Sequence, residues 1–412
     1  MIEDRLLEII LRLESLSCGQ KYAGFDPHDI KGSKLFMRAL AIPRKPFHKN
    51  LLRKLALGPL VLGEIFFPYF MRKVFGIEYS ENAKGISLFA KGYLNLYKLT
   101  KDVKWLVKAE NLLVWLSENK AQGHEYPCWG YPFDWDSGVD VPAGTPASVV
   151  SAAAFDAFWT AWEVTQKQNY FDTCVGICKF FSESLNITEI NDDTICFGYT
   201  PLDDFQVHNA NLLVAECLLK TGYEVQNEAF IELGHKAANF ALVEQNSDGS
   251  LYYWSSQQDF RNAEIGRIDH YHSGFEMRCL YGAWKASGVE KYKVALERYF
   301  EFYQKHLINR DSQGVFPNMF PGIKYPIDIH SCAEALLVNA TFKNEIEQAG
   351  SLLEEVLVPI LDRMIRKDGW FRYMIRKFGP FEFKSNIVYM RWGQSWMFNA
   401  LTYVLLTKSK SS

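Results

Sequence analysis

Three loops of the chain end alike. Val-His208-Asn209, Tyr-His272-Ser273 and Ile-His330-Ser331 each set a histidine beside a residue type that caps helix N-termini. Histidine titrates near neutrality and serves as general acid or base, although a single such residue is more often structural. Three at corresponding places in successive segments point to a shared site. Carboxylates stand beside them: Asp203 and Asp204 before His208, Asp269 before His272, and Asp328 two residues before His330. An earlier loop, FDWD, adds Asp134 and Asp136. Each Asp taken alone is more often a turn or cap residue. Trp129, Trp135 and Trp392 offer flat faces for sugar rings, and Arg267 and Arg391 can grip a substrate carboxylate bidentately.

Two chemistries suit this set. Carboxyls on opposite sides of a glycosidic bond act as acid and as base or nucleophile. Alternatively, a His or Tyr removes the C5 proton of a uronate while Arg or His stabilises its carboxylate. The catalytic set is therefore read as Asp134, Asp136, His208, Asp269, His272 and His330, with His272 or Asp269 moving the proton. Arg267, Arg391, Trp129, Trp135, Trp392, Asp203, Asp204 and Asp328 are read as substrate-binding. His270 and His272 beside Asp269 lack the spacing of a metal frame, and no Walker or GxGxxG phosphate loop occurs. No metal and no cofactor is expected.

The elements that must hold these residues repeat. Helices rich in Ala, Gly, Ser and Cys begin near Gly85, Ala147, Asn209, Ser273, Ser331 and Gln394, the last five at intervals of 58 to 64 residues. Each is paired with an amphipathic helix such as VKWLVKAENLLVWLSENK (103–120) or KYKVALERYFEFYQKHL (291–307). A helix apolar nearly all round is buried on both sides, whereas one with a polar stripe faces water. The economical arrangement is all-α, an (α/α)6 toroid with six inner and six outer helices and short β-hairpins on the loop face. The alternative is a stacked solenoid, which wants polar capping repeats that the chain does not show. Connections from inner to outer helices are short, and those from outer to inner are long and carry the His, Asp and Trp. Function is expected at the inner-helix N-termini, whose partial positive charge favours an anionic ligand.

Four blocks, YAGFDPHDIKGS, CWGYPFDWDSG with GTPASVVSAA, CFGYTPLDDFQVHNANLL and RIDHYHSGFEM, resemble the successive signatures of a microbial protein family. Its genes lie among those for capsule, O-antigen and other surface polysaccharides. The resemblance runs through residues 20 to 280 by motif and through the rest by repeat pattern. Its wider relatives are the six-hairpin glycosidases and the glucuronyl C5-epimerase toroids. It implies a carbohydrate-active protein whose partner is an oligo- or polysaccharide, anionic in character, acted on by a glycosidase, lyase or uronate epimerase. A non-catalytic toroid that binds a glycan or a biosynthetic partner is the alternative. Asp136 stands where an amide-bearing residue is expected and Tyr271 where another aromatic is, and both bear on substrate choice.

Of the 412 residues, 48% are apolar and the formal charge is −3, figures that suit a globular chain and argue against nucleic acid as a partner. Eight scattered cysteines without a CxxC pair read as buried free thiols. The acidic, helix-periodic N-terminus is unlike a signal peptide, and a cytoplasmic location is expected. Residues 1–80 are read as an outer helix plus a basic and apolar insertion packed on the ring, and 81–412 as the toroid, together forming one domain. Packing on the ring is expected of 44–73 in preference to contact with a membrane surface.

Overall fold

The computed structural model describes residues 2–40, 42, 47–136, 139–256 and 267–409, without the side chains of 47–50 and 136. Helix α1 (Ile2–Gly19) comes first. A 3₁₀ turn (Asp29–Gly32) and helices α2 (Lys34–Leu40), α3 (Phe47–Phe66) and α4 (Pro68–Phe75) follow. Then helices alternate in pairs: α5 (Ala83–Thr100) and α6 (Val103–Glu118), α7 (Ser148–Thr165) and α8 (Gln168–Ser184), α9 (His208–Val225) and α10 (Glu228–Glu244). The pairs α11 (His270–Ser287) and α12 (Glu290–His306), and α13 (Ile329–Phe342) and α14 (Glu347–Met364), come next. A π-helical turn (Met390–Ser395) leads into α15 (Trp396–Ser409).

Helices α5, α7, α9, α11, α13 and α15 touch one another in order, and α15 touches α5, so six inner helices close into a ring. Each of the first five packs on the helix after it in the chain, and α15 packs on α1, which closes the outer layer across the two termini. The structure is the (α/α)6 toroid expected from the repeats. Close approach of the inner helices depends on their small residues. A Cβ on Gly274 would lie 2.2 Å from Cγ of Glu334 on α13, and one on Gly282 would lie 2.2 Å from Oε1 of Glu216 on α9. The short inner-to-outer turns also repeat: Lys101, Gln166, Gln226 and Gly288, each just past an inner helix, all take the left-handed conformation.

The long loops carry antiparallel hairpins: Trp135–Asp136 with Asp140–Val141, Ile187–Asn191 with Thr194–Phe197, Ile308–Asp311 with Gly314–Pro317, and Met374–Phe378 with Phe381–Lys384. One interaction recurs around the mouth. The first free N–H of an inner helix donates to a carbonyl in the next loop: Ser148 to Tyr199, His208 to Tyr253, His270 to Met319, and Ile329 to Tyr373. The final link returns to the first loop, Met390 to Phe25 at 3.1 Å. These bonds satisfy helix-end donors that would otherwise be buried without a partner. Beside the last of them, Arg391 gives Nε and Nη2 to the carboxylate of Asp26, and both side chains are buried.

All eight cysteines are unpaired thiols; seven are buried as expected, and Cys18, at the end of α1, is exposed. The 21–80 segment has its own small core of Ile30, Phe36, Ala39 and Leu60. It is tied to the ring by the buried guanidinium of Arg72, which reaches Asp29, Glu64 and the Tyr389 hydroxyl.

Removing one partner of a buried pair leaves a charge that neither water nor a counter-ion can reach. Arg391→Met should therefore lower the unfolding free energy by about 3–5 kcal/mol in urea titrations. Adding Asp26→Asn to it should restore part of that loss.

Candidate active site at the inner-helix mouth

The helix starts decide which side chains meet. The N-terminal caps are Val207 for α9, Asp269 for α11 and Asp328 for α13, rather than the Asn and Ser that follow the histidines. His208 is thus the first residue of its helix, His330 the second and His272 the third. At 100° per residue they point in different directions. His208 turns outward: its ring lies against Phe240 of α10 and its Nδ1 meets the Tyr252 carbonyl at 2.7 Å. The common register expected of the three histidines does not hold, and His208 belongs to the packing between inner and outer layers. His270, the first residue of α11, turns the same way, toward Tyr303.

His272 and His330 turn to the mouth. Asp269 caps α11 by accepting from the His272 N–H, and its other oxygen lies 2.8 Å from His272 Nδ1. Arg267 is 3.1 Å from that same oxygen. Burial alone would raise the Asp269 carboxyl, but its contact with His272 and the charge of Arg267 hold it below the usual range. Burial pushes the His272 imidazole down, and Asp269 offsets this only in part. The pair is therefore carboxylate and neutral imidazole, with Nδ1–H donating to Asp269 and the Nε2 lone pair unpartnered among the described residues. The His272 side chain is 17% exposed, enough for a ligand to reach it.

Around it stand aromatic rings. Tyr253 lies 4.4 Å from the His272 ring, centroid to centroid. Trp135 stands edge-on to both Tyr131 and Tyr199. The Arg391 guanidinium lies over both Tyr131 and Trp392. His28, from the first loop, meets the edge of Trp392 and places Nδ1 3.3 Å from Lys31 Nζ. Burial, then the charges of Lys31, Arg391 and Arg267, hold His28 well below the ordinary histidine range.

His330 forms the floor. It stacks on Tyr271 at 4.7 Å, meets Trp392 and Trp396, and neither ring nitrogen has a partner among the described residues. Burial, followed by the charge of Lys84, keeps it neutral. Lys84 sits beneath, its ammonium over Phe275 and Trp396, and burial beside Arg391 brings it down to about 7. Its stem leads into an axial cavity of about 270 Å³ belted by the ion pairs Lys91–Asp156, Lys220–Glu216 and Arg278–Glu334.

The remaining expected residues are spread more widely. Asp328 is buried, caps α13 through the His330 and Ser331 N–H groups, and accepts from Trp392 Nε1 at 3.3 Å. Burial raises its carboxyl to about 6. Asp203 is consumed by a turn, accepting from the N–H groups of Tyr199, Thr200 and Phe205. Asp204 is exposed on that loop. Asp134 is exposed and accepts from the Ala143 N–H, bracing its own hairpin, while the Asp136 side chain lies outside the described residues. Trp129 does not reach the mouth: it is in the core, its Nε1 donating to Leu116 at 2.9 Å. Arg391, expected to hold a substrate carboxylate, has its fork engaged by Asp26.

Several mouth residues carry no signal of their own in the sequence. Tyr131, Tyr199 and Tyr253 recur at matching places in three aromatic segments, and Lys84 is a cation at the start of an otherwise small and apolar helix; both are readable in retrospect. Among the described residues no group of three His, Cys, Asp or Glu side chains is placed to hold a metal ion.

No protein-family profile and no curated protein matches the chain. Its fold is similar to solved structures at low identity. Cellobiose 2-epimerase from Bacillus thermoamylovorans superposes with a TM-score of 0.59 at 13% identity, over 81% of this chain and 90% of that one. A GH76 α-mannanase from Bacteroides thetaiotaomicron gives 0.58 at 10%, over 81% and 88%. An unsaturated glucuronyl hydrolase specific for heparin gives 0.56 at 11%, over 80% and 87%. The chain is thus similar in fold to six-hairpin toroids whose named activities are epimerisation and glycoside hydrolysis.

Proposed function

We propose that the mouth binds a saccharide and moves a proton on it, with His272 as the base. The observation that carries this reading is the Asp269–His272 pair, which leaves a neutral imidazole Nε2 unpartnered among aromatic rings. Asp269 orients the ring and stabilises the imidazolium formed when the proton arrives. Tyr253, whose hydroxyl burial raises, keeps its proton and can donate to a sugar oxygen. Tyr131 and Trp392 supply stacking faces. Such a set suits removal of a proton from carbon next to a carbonyl or carboxylate, as in epimerisation, isomerisation or elimination. The similarity to a cellobiose 2-epimerase and to a D-mannose isomerase agrees with it.

Two-carboxylate hydrolysis has less support. It wants two carboxyls facing each other across roughly 5 to 9.5 Å. Among the described residues, Asp26 is committed to Arg391, Asp328 to a helix cap, and Asp269 to His272 and Arg267. The substrate class we infer is an anionic glycan, for which Arg267 and Lys31 provide positive charge. A hollow of about 760 Å³ beside Tyr131, lined also by Trp115, His124 and Pro201, gives a longer chain room to extend.

The test is solvent exchange. Uronic-acid and neutral oligosaccharides incubated with the protein in D2O should gain deuterium at C5 or C2, read by mass spectrometry. His272→Ala should slow the exchange by about 10²–10⁴-fold. Binding without exchange in the wild type would make the protein a binding toroid and end the catalytic reading. Because burial lowers the His272 pKa, the acid limb of kcat/KM should fall below the ordinary histidine value. Asp269→Asn removes a charge that favours imidazolium, so it should move that limb further down as well as cutting the rate.

The two tryptophan sites should separate in the same assays. Trp129→Phe should cost about 1 kcal/mol of stability for its lost hydrogen bond and leave KM unchanged. Trp392→Ala should raise KM.

A further inference from the structure

Helices α3 and α4 form a hairpin with two unlike faces. The inward face holds Leu60 and the Arg72 guanidinium, whose bonds to Asp29, Glu64 and Tyr389 fasten it to the toroid. The outward face is apolar and, among the described residues, uncovered. Leu55 is 64% exposed, Phe67 65% and Phe70 64%, and Leu52, Leu62 and Val74 extend the same surface. The Met374–Phe378/Phe381–Lys384 hairpin prolongs it, since Phe66 packs on Phe378 and Phe383 while Phe381 stands 76% exposed at the tip. Contiguous exposed apolar surface of this kind marks a partner or membrane site rather than ordinary protein surface.

Charge selects the partner. From Ile30 to Ile77 the chain carries ten Lys and Arg against one carboxylate, Glu64, in a protein whose formal charge is −3. That carboxylate is turned inward to Arg72, whereas Lys54 and Lys73 are exposed beside the apolar face. Lys377 and Lys384 flank the second hairpin. Geometry selects the mode of contact. No single described helix is long and apolar enough to cross a bilayer, and α3 and α4 are bent by 120° at Phe67. Apolar side chains on a bent, basic pair of helices suit an element lying in the headgroup plane.

We propose that this face docks the protein on an anionic lipid surface, with α3, α4 and the Phe378–Phe381 tip dipping into the interface and the lysines meeting lipid phosphates. The proposal is independent of the reaction at the mouth. It would hold the toroid at a membrane, where a lipid-linked or membrane-extruded glycan is presented.

Flotation of the full-length protein with vesicles tests it. Binding to phosphatidylcholine vesicles containing phosphatidylglycerol should exceed binding to phosphatidylcholine alone by at least about tenfold and should weaken with salt. Phe67→Ser with Phe70→Ser should abolish binding to both compositions, and Lys54→Glu with Lys73→Glu should abolish only the anionic preference. All these side chains are exposed, so thermal melts should match the wild type. A wild type that floats with neither vesicle overturns the proposal, as does undiminished flotation of the Phe67/Phe70 variant. A lipid-independent, concentration-dependent dimer lost in that same variant would instead assign the face to a second copy of the chain.

Discussion

Closure is the constraint on which the rest depends. Six inner helices make a ring only if the last meets the first, and at that seam Arg391 and Asp26 meet in a buried ion pair beside the Met390–Phe25 hydrogen bond. The residues joined lie at opposite ends of the chain, so the contact forms only when every repeat between them has turned the ring by the right amount. The same seam sets out the mouth. Arg391 carries Tyr131 and Trp392 on its guanidinium, and Asp26 accepts from the His28 N–H, which brings the first loop over the last inner helix.

Within the mouth, burial rather than pairing governs charge. Among the described residues the His28 and His330 rings have no carboxylate partner, and desolvation keeps both neutral. Among the described mouth residues only the His272 ring meets a carboxylate, and Asp269 is held ionised by its contact with that ring and by Arg267. One imidazole out of several is therefore oriented, basic and open. This asymmetry separates a catalytic candidate from a packed ring more sharply than position at a helix start does. His208 and His330 share that position and carry quite different surroundings.

The segment before the first inner helix serves two sides of the molecule. Its loop of Asp26, His28 and Lys31 completes the mouth, and its helical hairpin turns a basic, apolar face outward. Arg72 joins the two, since Asp29 beside the mouth and Glu64 on α3 both bind it. The mouth and the outward apolar face are thereby held in a fixed relation by a single buried guanidinium.

Much of this architecture is legible in one dimension. Helix periodicity with small-residue enrichment distinguishes inner from outer helices, and repeat spacing closes the ring, because both are local or periodic properties of the chain. Loop lengths single out the end that carries the mouth for the same reason. His272 and Asp269 are readable too, since a cap and the third residue of a helix are only three apart. What tertiary structure decided is direction and commitment. Each residue of shift in a helix start turns a side chain by 100°, and the two-residue difference between His208 and His272 sent the first into the packing layer and left the second at the mouth. Arg391 was spoken for by Asp26, hundreds of residues away, and Trp129 by the Leu116 carbonyl in the core. The outward face of α3 and α4 was decided in the same way: composition shows that those residues are apolar, but only the packing of Leu60 and Arg72 determines which of them are left exposed.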